Sequence, residues 1–111
     1  MTKFKVITTK GDEVATCTIP KGFETAKWRQ DSLYEPATLA KGLNGEGTHT
    51  IKEFCKMPSK MLLELLTALP PKQEEELYKG IASAYRKGLY GNKKNYERFI
   101  KTRKKAREYC A

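Results

Sequence analysis

The sequence is poor in the residues that build metal and disulfide sites. Its 111 residues include one histidine, one tryptophan and three cysteines, and Cys17, Cys55 and Cys110 lie far apart along the chain. There is no CxxC pair and no Cys/His cluster, so the pattern predicts neither a metal site nor a disulfide framework. It is typical of reduced thiols, and we therefore expect a reducing compartment such as the cytoplasm.

Long apolar runs are also missing. The longest, Met61-Leu62-Leu63, is interrupted by Glu64, far short of the roughly 20 residues that cross a bilayer. The N-terminal residues lack the apolar stretch of a secretory signal. The sequence thus predicts a soluble protein with no membrane partner.

No pattern in the sequence indicates catalysis. His49, the one histidine, stands in a stretch of glycine and threonine, without a serine or cysteine in a known nucleophile motif. Such a histidine is most often an exposed loop residue. We therefore expect a protein that is not an enzyme and that has no cofactor.

The length fits one domain spanning residues 1–111. Residues 1–20 predict a β-hairpin, because β-branched and polar residues alternate on both sides of a turn at Gly11 and Pro20 ends the second strand. Residues 21–49 look irregular, with a short helix at 36–41 and Trp28 as a core anchor.

Residues 50–111 predict helices. Thr50 and Glu53 form a capping-box pattern that opens a short helix ending near Met57. Longer helices are expected at 59–69, 71–89 and 93–109, the last two as an antiparallel pair. The predicted fold is α+β, an N-terminal β-hairpin packed on four or five helices. Its expected core comprises the hairpin with Trp28, Leu62, Leu65, Leu66, Leu77, Ile81, Phe99 and Ile100.

Small residues spaced by four mark one face of the penultimate helix. Gly80, Ala84 and Gly88 form a shallow strip that would let another helix approach closely, and Leu89 is expected in the buried stripe of the same helix.

Positive charge is concentrated at the C-terminal end. Up to Tyr85 the chain has twelve basic and eleven acidic residues, whereas from Arg86 onward it has ten basic residues against Glu97 and Glu108. Nearly all of the net charge of +9 therefore lies in the last 26 residues. Charge segregated in this way bears on partners more than on fold.

The last helix carries the candidate binding site. At 100° per residue, four basic residues fall within about 60° of one another and form a row about 16 Å long. They are Lys94, Arg98, Lys101 and Lys105, and Lys93, Arg103, Lys104 and Arg107 widen the patch. Lysines and arginines at this density destabilise a helix by about 0.2–0.5 kcal/mol per like-charged pair, which favours a functional role for them.

Two of these candidates have a second interpretation. Arg103 and Arg107 project near the apolar arc of the helix, where a guanidinium needs an anionic partner: Glu64, one of Glu74–Glu76, or a group on a bound molecule. Tyr90 is the best aromatic candidate for stacking on an unpaired base.

These features predict association with the phosphate backbone of RNA or DNA, either by the protein alone or within a nucleoprotein assembly. The alternative is a protein-interaction module, such as an adaptor, assembly chaperone or inhibitor, that docks an acidic protein surface. Salt separates the two, because phosphate binding weakens steeply with ionic strength and a partly apolar interface does not.

Overall fold

The computed structural model describes residues 2–19, 47–89 and 93–110, and these ranges form an α+β fold. The predicted fold class is therefore confirmed. The helix expected at 36–41, Trp28 and Tyr90 lie outside the described residues. The elements in chain order are β1 (Thr2–Ile7), β2 (Glu13–Ile19), β3 (Thr48–Thr50), α1 (Ile51–Cys55), α2 (Ser59–Ala68), α3 (Pro71–Arg86) and α4 (Lys93–Cys110).

The three strands form one sheet in the order β2-β1-β3. β1 and β2 pair antiparallel, with Phe4 opposite Cys17 and Val6 opposite Ala15, and all four of these side chains are buried. The turn between the strands uses Gly11 at a φ of 93°, a conformation that glycine adopts without strain. Residues between these positions alternate to the exposed face, so one face of the sheet covers the core.

The third strand corrects the sequence prediction, which places residues 48 and 49 in an irregular segment. β3 runs parallel to β1, and His49 lies opposite Val6. His49 is only 2% exposed and meets the ring of Phe4 edge-on, with 6.2 Å between the ring centroids. The expectation of an exposed loop histidine is therefore wrong. A three-residue strand of polar composition is too short for alternation to reveal it.

The capping box at the start of α1 is confirmed. The Thr50 hydroxyl accepts a hydrogen bond from the Glu53 backbone N–H at 3.1 Å, and the Glu53 carboxylate accepts one from the Thr50 backbone N–H at 3.3 Å. The helix ends at Cys55, two residues before the predicted boundary.

The core lies between the sheet and the helices. The predicted leucines of α2 and α3, together with Ile81 and Phe99, are buried as expected, and Ile100 is partly buried against them. Phe54 of α1 packs edge-on against Phe99 of α4 with 5.9 Å between ring centroids, which ties α1 to α4. None of the described helices is both long and apolar enough to span a bilayer.

α3 lies along the outer edge of β2. The side-chain oxygen of Gln73 accepts a hydrogen bond from the Thr18 backbone N–H at 3.1 Å. A Cβ atom at Gly80 would overlap the carbonyl oxygen of Val14, so only glycine allows this approach. Gly80 therefore packs against a strand, β2, whereas the sequence predicts that a helix packs at this position.

The end of α3 also differs from the prediction. The helix stops at Arg86, and Gly88 turns the chain at a φ of 74° while the Leu89 N–H bonds back to the Ala84 carbonyl at 2.8 Å. This places Leu89 outside the helix, where it is 50% exposed and not part of the buried stripe.

α4 packs most closely against α2. Long side chains also join α4 to α3, with Arg103 reaching Glu74 and Tyr96 reaching Tyr85. The sequence predicts α3 and α4 as an antiparallel pair. The structure does not confirm that arrangement, because α2 is the main neighbour of α4 and α3 reaches it through these side-chain contacts. This packing leaves one face of α4 towards solvent.

Candidate functional site

The outward face of α4 carries most of the predicted binding residues. Six basic side chains on this helix are exposed, and Glu97 and Glu108 are the two exposed acidic ones. We call the six the basic face: Lys93, Lys94, Lys101, Lys104, Lys105 and Arg107. Their ammonium and guanidinium groups stay hydrated, so the face can meet a polyanion without first breaking a buried contact.

Among the described residues, one ion pair lies on this face. The Lys93 ammonium lies 3.8 Å from the Glu97 carboxylate, and the two side chains are 79% and 62% exposed. An exposed i,i+4 pair of this kind contributes only about 0.3–0.5 kcal/mol. It can open at little cost when a stronger anion approaches.

Arg98 belongs to the predicted row but is engaged inside the fold. Its guanidinium donates hydrogen bonds to the carbonyl oxygens of Cys55 and Met57, each at 2.7 Å, and to the Ser59 hydroxyl at 3.1 Å. The Cys55 carbonyl is one of the last four of α1, which have no intrahelical partner, and the Met57 carbonyl lies in the loop to α2. Arg98 therefore holds α4 against the α1–α2 connection.

Arg103 is likewise engaged. It forms a salt bridge with Glu74, and the two side chains are 15% and 8% exposed. Its guanidinium also lies over the Tyr78 ring, 4.1 Å from the centroid. Of the two interpretations that the sequence leaves open for Arg103, the structure shows the internal pair with Glu74.

Two tyrosines form a second contact between α3 and α4. Tyr85 and Tyr96 stack with their rings 4.0 Å apart and 2° from parallel. Burial is the main cause that raises the pKa of the Tyr96 phenol, and its hydrogen bond with Tyr78 acts in the same direction. The inner side of α4 is thus held at two points, by Tyr96 near its start and by Arg103 near its middle, and the basic face keeps a defined direction.

Arg107, the other candidate near the apolar arc, is exposed. It lines a groove that contains both apolar residues, such as Leu69, and the carboxylates of Glu74 and Glu75, and it remains accessible there. Arg107 therefore stays in the basic face. Tyr90, the stacking candidate, falls outside the described residues.

Sequence patterns miss two further lysines near the start of α4. Lys52 and Lys56 are exposed and line one groove with Leu89 and Asn95. They stand in a stretch of mixed charge, so composition alone does not single them out. Their position follows from the Arg98 contacts, which bring the end of α1 beside α4.

The buried thiol of Cys17 is unsuited to nucleophilic chemistry. Burial, followed by the nearby Glu76 charge, raises its pKa to about 12, so the reactive thiolate is scarce at neutral pH. Its Sγ atom points to the Gln73 carbonyl oxygen at 3.9 Å. Within residues 2–19, 47–89 and 93–110, no three His, Cys, Asp or Glu side chains are grouped to hold a metal ion.

Comparison with known proteins finds no matching family model, no similar curated protein and no similar solved structure.

Proposed function

We propose that this protein associates with nucleic acid through backbone phosphates, in a role that is not enzymatic. The observation that carries the proposal is the basic face itself: six exposed cations on one helix against two carboxylates. Phosphate groups bind such a surface by displacing condensed counterions, which needs accessible cations and no deep pocket.

The packing of α4 supports this proposal. Arg98 and Arg103 fasten the inner side of the helix through hydrogen bonds and a salt bridge to other elements. The lysines of the outer side are therefore carried by a firmly held helix, which reduces the entropy lost when they bind. In this proposal Arg98 and Arg103 position the helix and do not contact phosphate, although the sequence predicts both as binding residues.

The second candidate function is docking of an acidic protein. Leu89, 50% exposed, shares a groove with Lys52 and Lys56, and this mixture of apolar and basic surface suits a protein that offers carboxylates beside an apolar side chain. The groove adjoins the start of α4, so such a partner would contact only part of the basic face.

The test is binding to fluorescently labelled oligonucleotides, measured by anisotropy across a salt series. The variant replaces Lys101, Lys104 and Lys105 with glutamine. In a plot of log binding constant against log salt concentration, each lost phosphate contact should make the slope less steep by about 0.7–0.9. The slope of the triple variant should therefore be shallower by about 2–3, and the variant should lose most of its affinity.

The matched control replaces Lys3, Lys5 and Lys10 with glutamine. These lysines are exposed on β1 and its following turn, and their loss changes the net charge by the same amount. The control should bind nearly as well as the parent protein. Equal losses in both variants would show attraction to net charge alone, and absence of binding at low salt would favour the acidic-protein candidate.

A further inference from the structure

The basic face consists of two separate rows. At 100° per residue, with Lys93 set at 0°, the first row lies at about 80–120° and the second between about 320° and 20° around the α4 axis. The first row contains Lys94, Lys101 and Lys105, and the second contains Lys93, Lys104 and Arg107.

The two exposed carboxylates lie between the rows. Glu97 and Glu108 fall at about 40–60°, in the middle of the outward face. A phosphate chain that ran along this middle line would meet both carboxylates, and like charges repel. The face therefore favours anions at its two flanks over an anion along its centre.

The spacing of the rows suits a groove with a phosphate backbone on each side. The rows are about 100° apart on a helix about 10–12 Å wide, which separates them by about 8–9 Å before the side chains extend. The major groove of B-form DNA is about 12 Å wide and admits an α-helix. Extended lysine side chains on opposite flanks would point towards opposite edges of such a groove.

The lengths of the rows agree with this fit. Lys94 and Lys105 are eleven residues apart, or about 16 Å along the helix, and Lys93 and Arg107 are about 21 Å apart. Successive phosphates of one strand advance about 3.4 Å along the duplex axis, and their separation along the groove is larger because the strand winds around that axis. Each row is still long enough to meet more than one phosphate of its own strand.

We infer that the ligand of the basic face is double-stranded DNA, with α4 in the major groove and each row on one backbone. This inference rests on the proposed function and narrows it. A-form RNA presents a deep and narrow major groove that would not admit the helix, and a single strand offers one backbone, which one row would satisfy. The carboxylates of Glu97 and Glu108 then face base edges, where a carboxylate can accept a hydrogen bond from a cytosine amino group.

The experiment compares two single-row variants on four polymers. One variant replaces Lys94, Lys101 and Lys105 with glutamine, and the other replaces Lys93, Lys104 and Arg107 with glutamine. Each is titrated by anisotropy against duplex DNA, duplex RNA, single-stranded DNA and single-stranded RNA of one sequence and length. Circular dichroism and the thermal midpoint confirm that each variant is folded.

The parent protein should bind duplex DNA at least about tenfold more tightly than the other polymers. Each row should matter equally, so either variant should lower the duplex salt slope by about 2.5–3, half of the total of about 5 expected from six contacts. Netropsin, which occupies the minor groove, should leave binding unchanged.

Different failures are distinguishable. Single strands bound as tightly as the duplex, with only one row contributing, would overturn the inference and leave the proposed function standing. Equal affinity for duplex RNA, or displacement by netropsin, would overturn the assignment to the major groove. No binding to any of the four polymers would overturn the proposed function as well.

Discussion

The two sides of α4 use positive charge in opposite ways. On the inner side, Arg98 and Arg103 donate to fixed acceptors on α1, the following loop and α3. On the outer side, five lysines and Arg107 remain exposed. Both internal contacts are made by arginine, whose planar guanidinium fork suits fixed acceptors, whereas five of the six exposed cations are lysines, whose flexible ammonium is strongly hydrated.

This contrast shows that charge on a helix cannot be assigned to binding by counting. Eight basic residues of α4 are candidates from the sequence, and two of them stabilise the fold. The distinction can be tested by substituting the two sides separately and measuring stability and binding for each.

The largest effect is expected at Arg103. Replacing it with alanine leaves the Glu74 carboxylate buried and without its cation, which should lower the free energy of unfolding by about 3–5 kcal/mol. Urea denaturation followed by circular dichroism measures the change. Lys104→Ala, at the exposed neighbouring position, is the matched control and should stay within about 0.5 kcal/mol of the parent.

A companion variant tests the cause of that loss. Replacing Glu74 and Arg103 together with methionine removes both charges and keeps apolar bulk at the site, so it should recover most of the stability. If Arg103→Ala lowered the free energy of unfolding by less than about 1 kcal/mol, the Arg103–Glu74 pair would be effectively solvated. The contrast between the inner and outer sides of α4 would then not hold.

An intermediate effect is expected at Arg98. Alanine removes charge-assisted hydrogen bonds to the Cys55 and Met57 carbonyls and should cost about 1.5–3 kcal/mol in urea denaturation. Arg98→Lys keeps the charge but cannot reproduce the forked geometry, so it should recover less than half of this loss.

The same Arg98→Lys variant sharpens the functional contrast. Its affinity for DNA should remain within about twofold of the parent at a fixed temperature where both are folded, whereas the Lys101/Lys104/Lys105→Gln variant should bind far more weakly. Strong loss of affinity in Arg98→Lys would place Arg98 among the phosphate ligands.

The smallest effect concerns Tyr96 and depends on pH. Burial raises the pKa of its phenol in the folded state, so folding favours the protonated form. The corresponding stability is fully present below the ordinary pKa of about 10 and is lost as pH rises through the higher folded value. Tyr96→Phe should cost about 1 kcal/mol at neutral pH, from the lost hydrogen bond with Tyr78.

The check is a comparison of urea midpoints for the parent and Tyr96→Phe between pH 9 and pH 11. The difference between the two proteins should shrink as pH rises, because only the parent loses the contribution of this phenol. A constant difference across that range would show that Tyr96 titrates as a solvated tyrosine does.

Periodic patterns in the sequence predict most of the helical part. The apolar spacing of Leu62, Leu65, Leu66, Leu77 and Ile81 identifies the buried sides of α2 and α3, and the Thr50–Glu53 pair marks the start of α1. These features are local, because each depends on neighbours within one helix turn or on the period of one element.

The features that sequence fails to predict are set by distant contacts. His49 is buried because β3 pairs with β1 more than forty residues earlier, and Leu89 is exposed because the chain turns at Gly88. Arg98 looks like its neighbouring lysines until the carbonyls of the α1–α2 connection are placed beside it. The exposed lysines are predictable as charged residues, whereas their division into two rows depends on which side of α4 the fold buries.

The position of α3 also has a consequence for association between molecules. An edge strand offers unpaired amides and carbonyls to any extended chain, and this is a common route to aggregation. At β2, the Gln73 side chain already satisfies the Thr18 amide, and the helix backbone at Gly80 stands against the Val14 carbonyl. A strand from another molecule could pair with β2 only after α3 had detached. The helix therefore blocks fibril growth from this edge of the sheet.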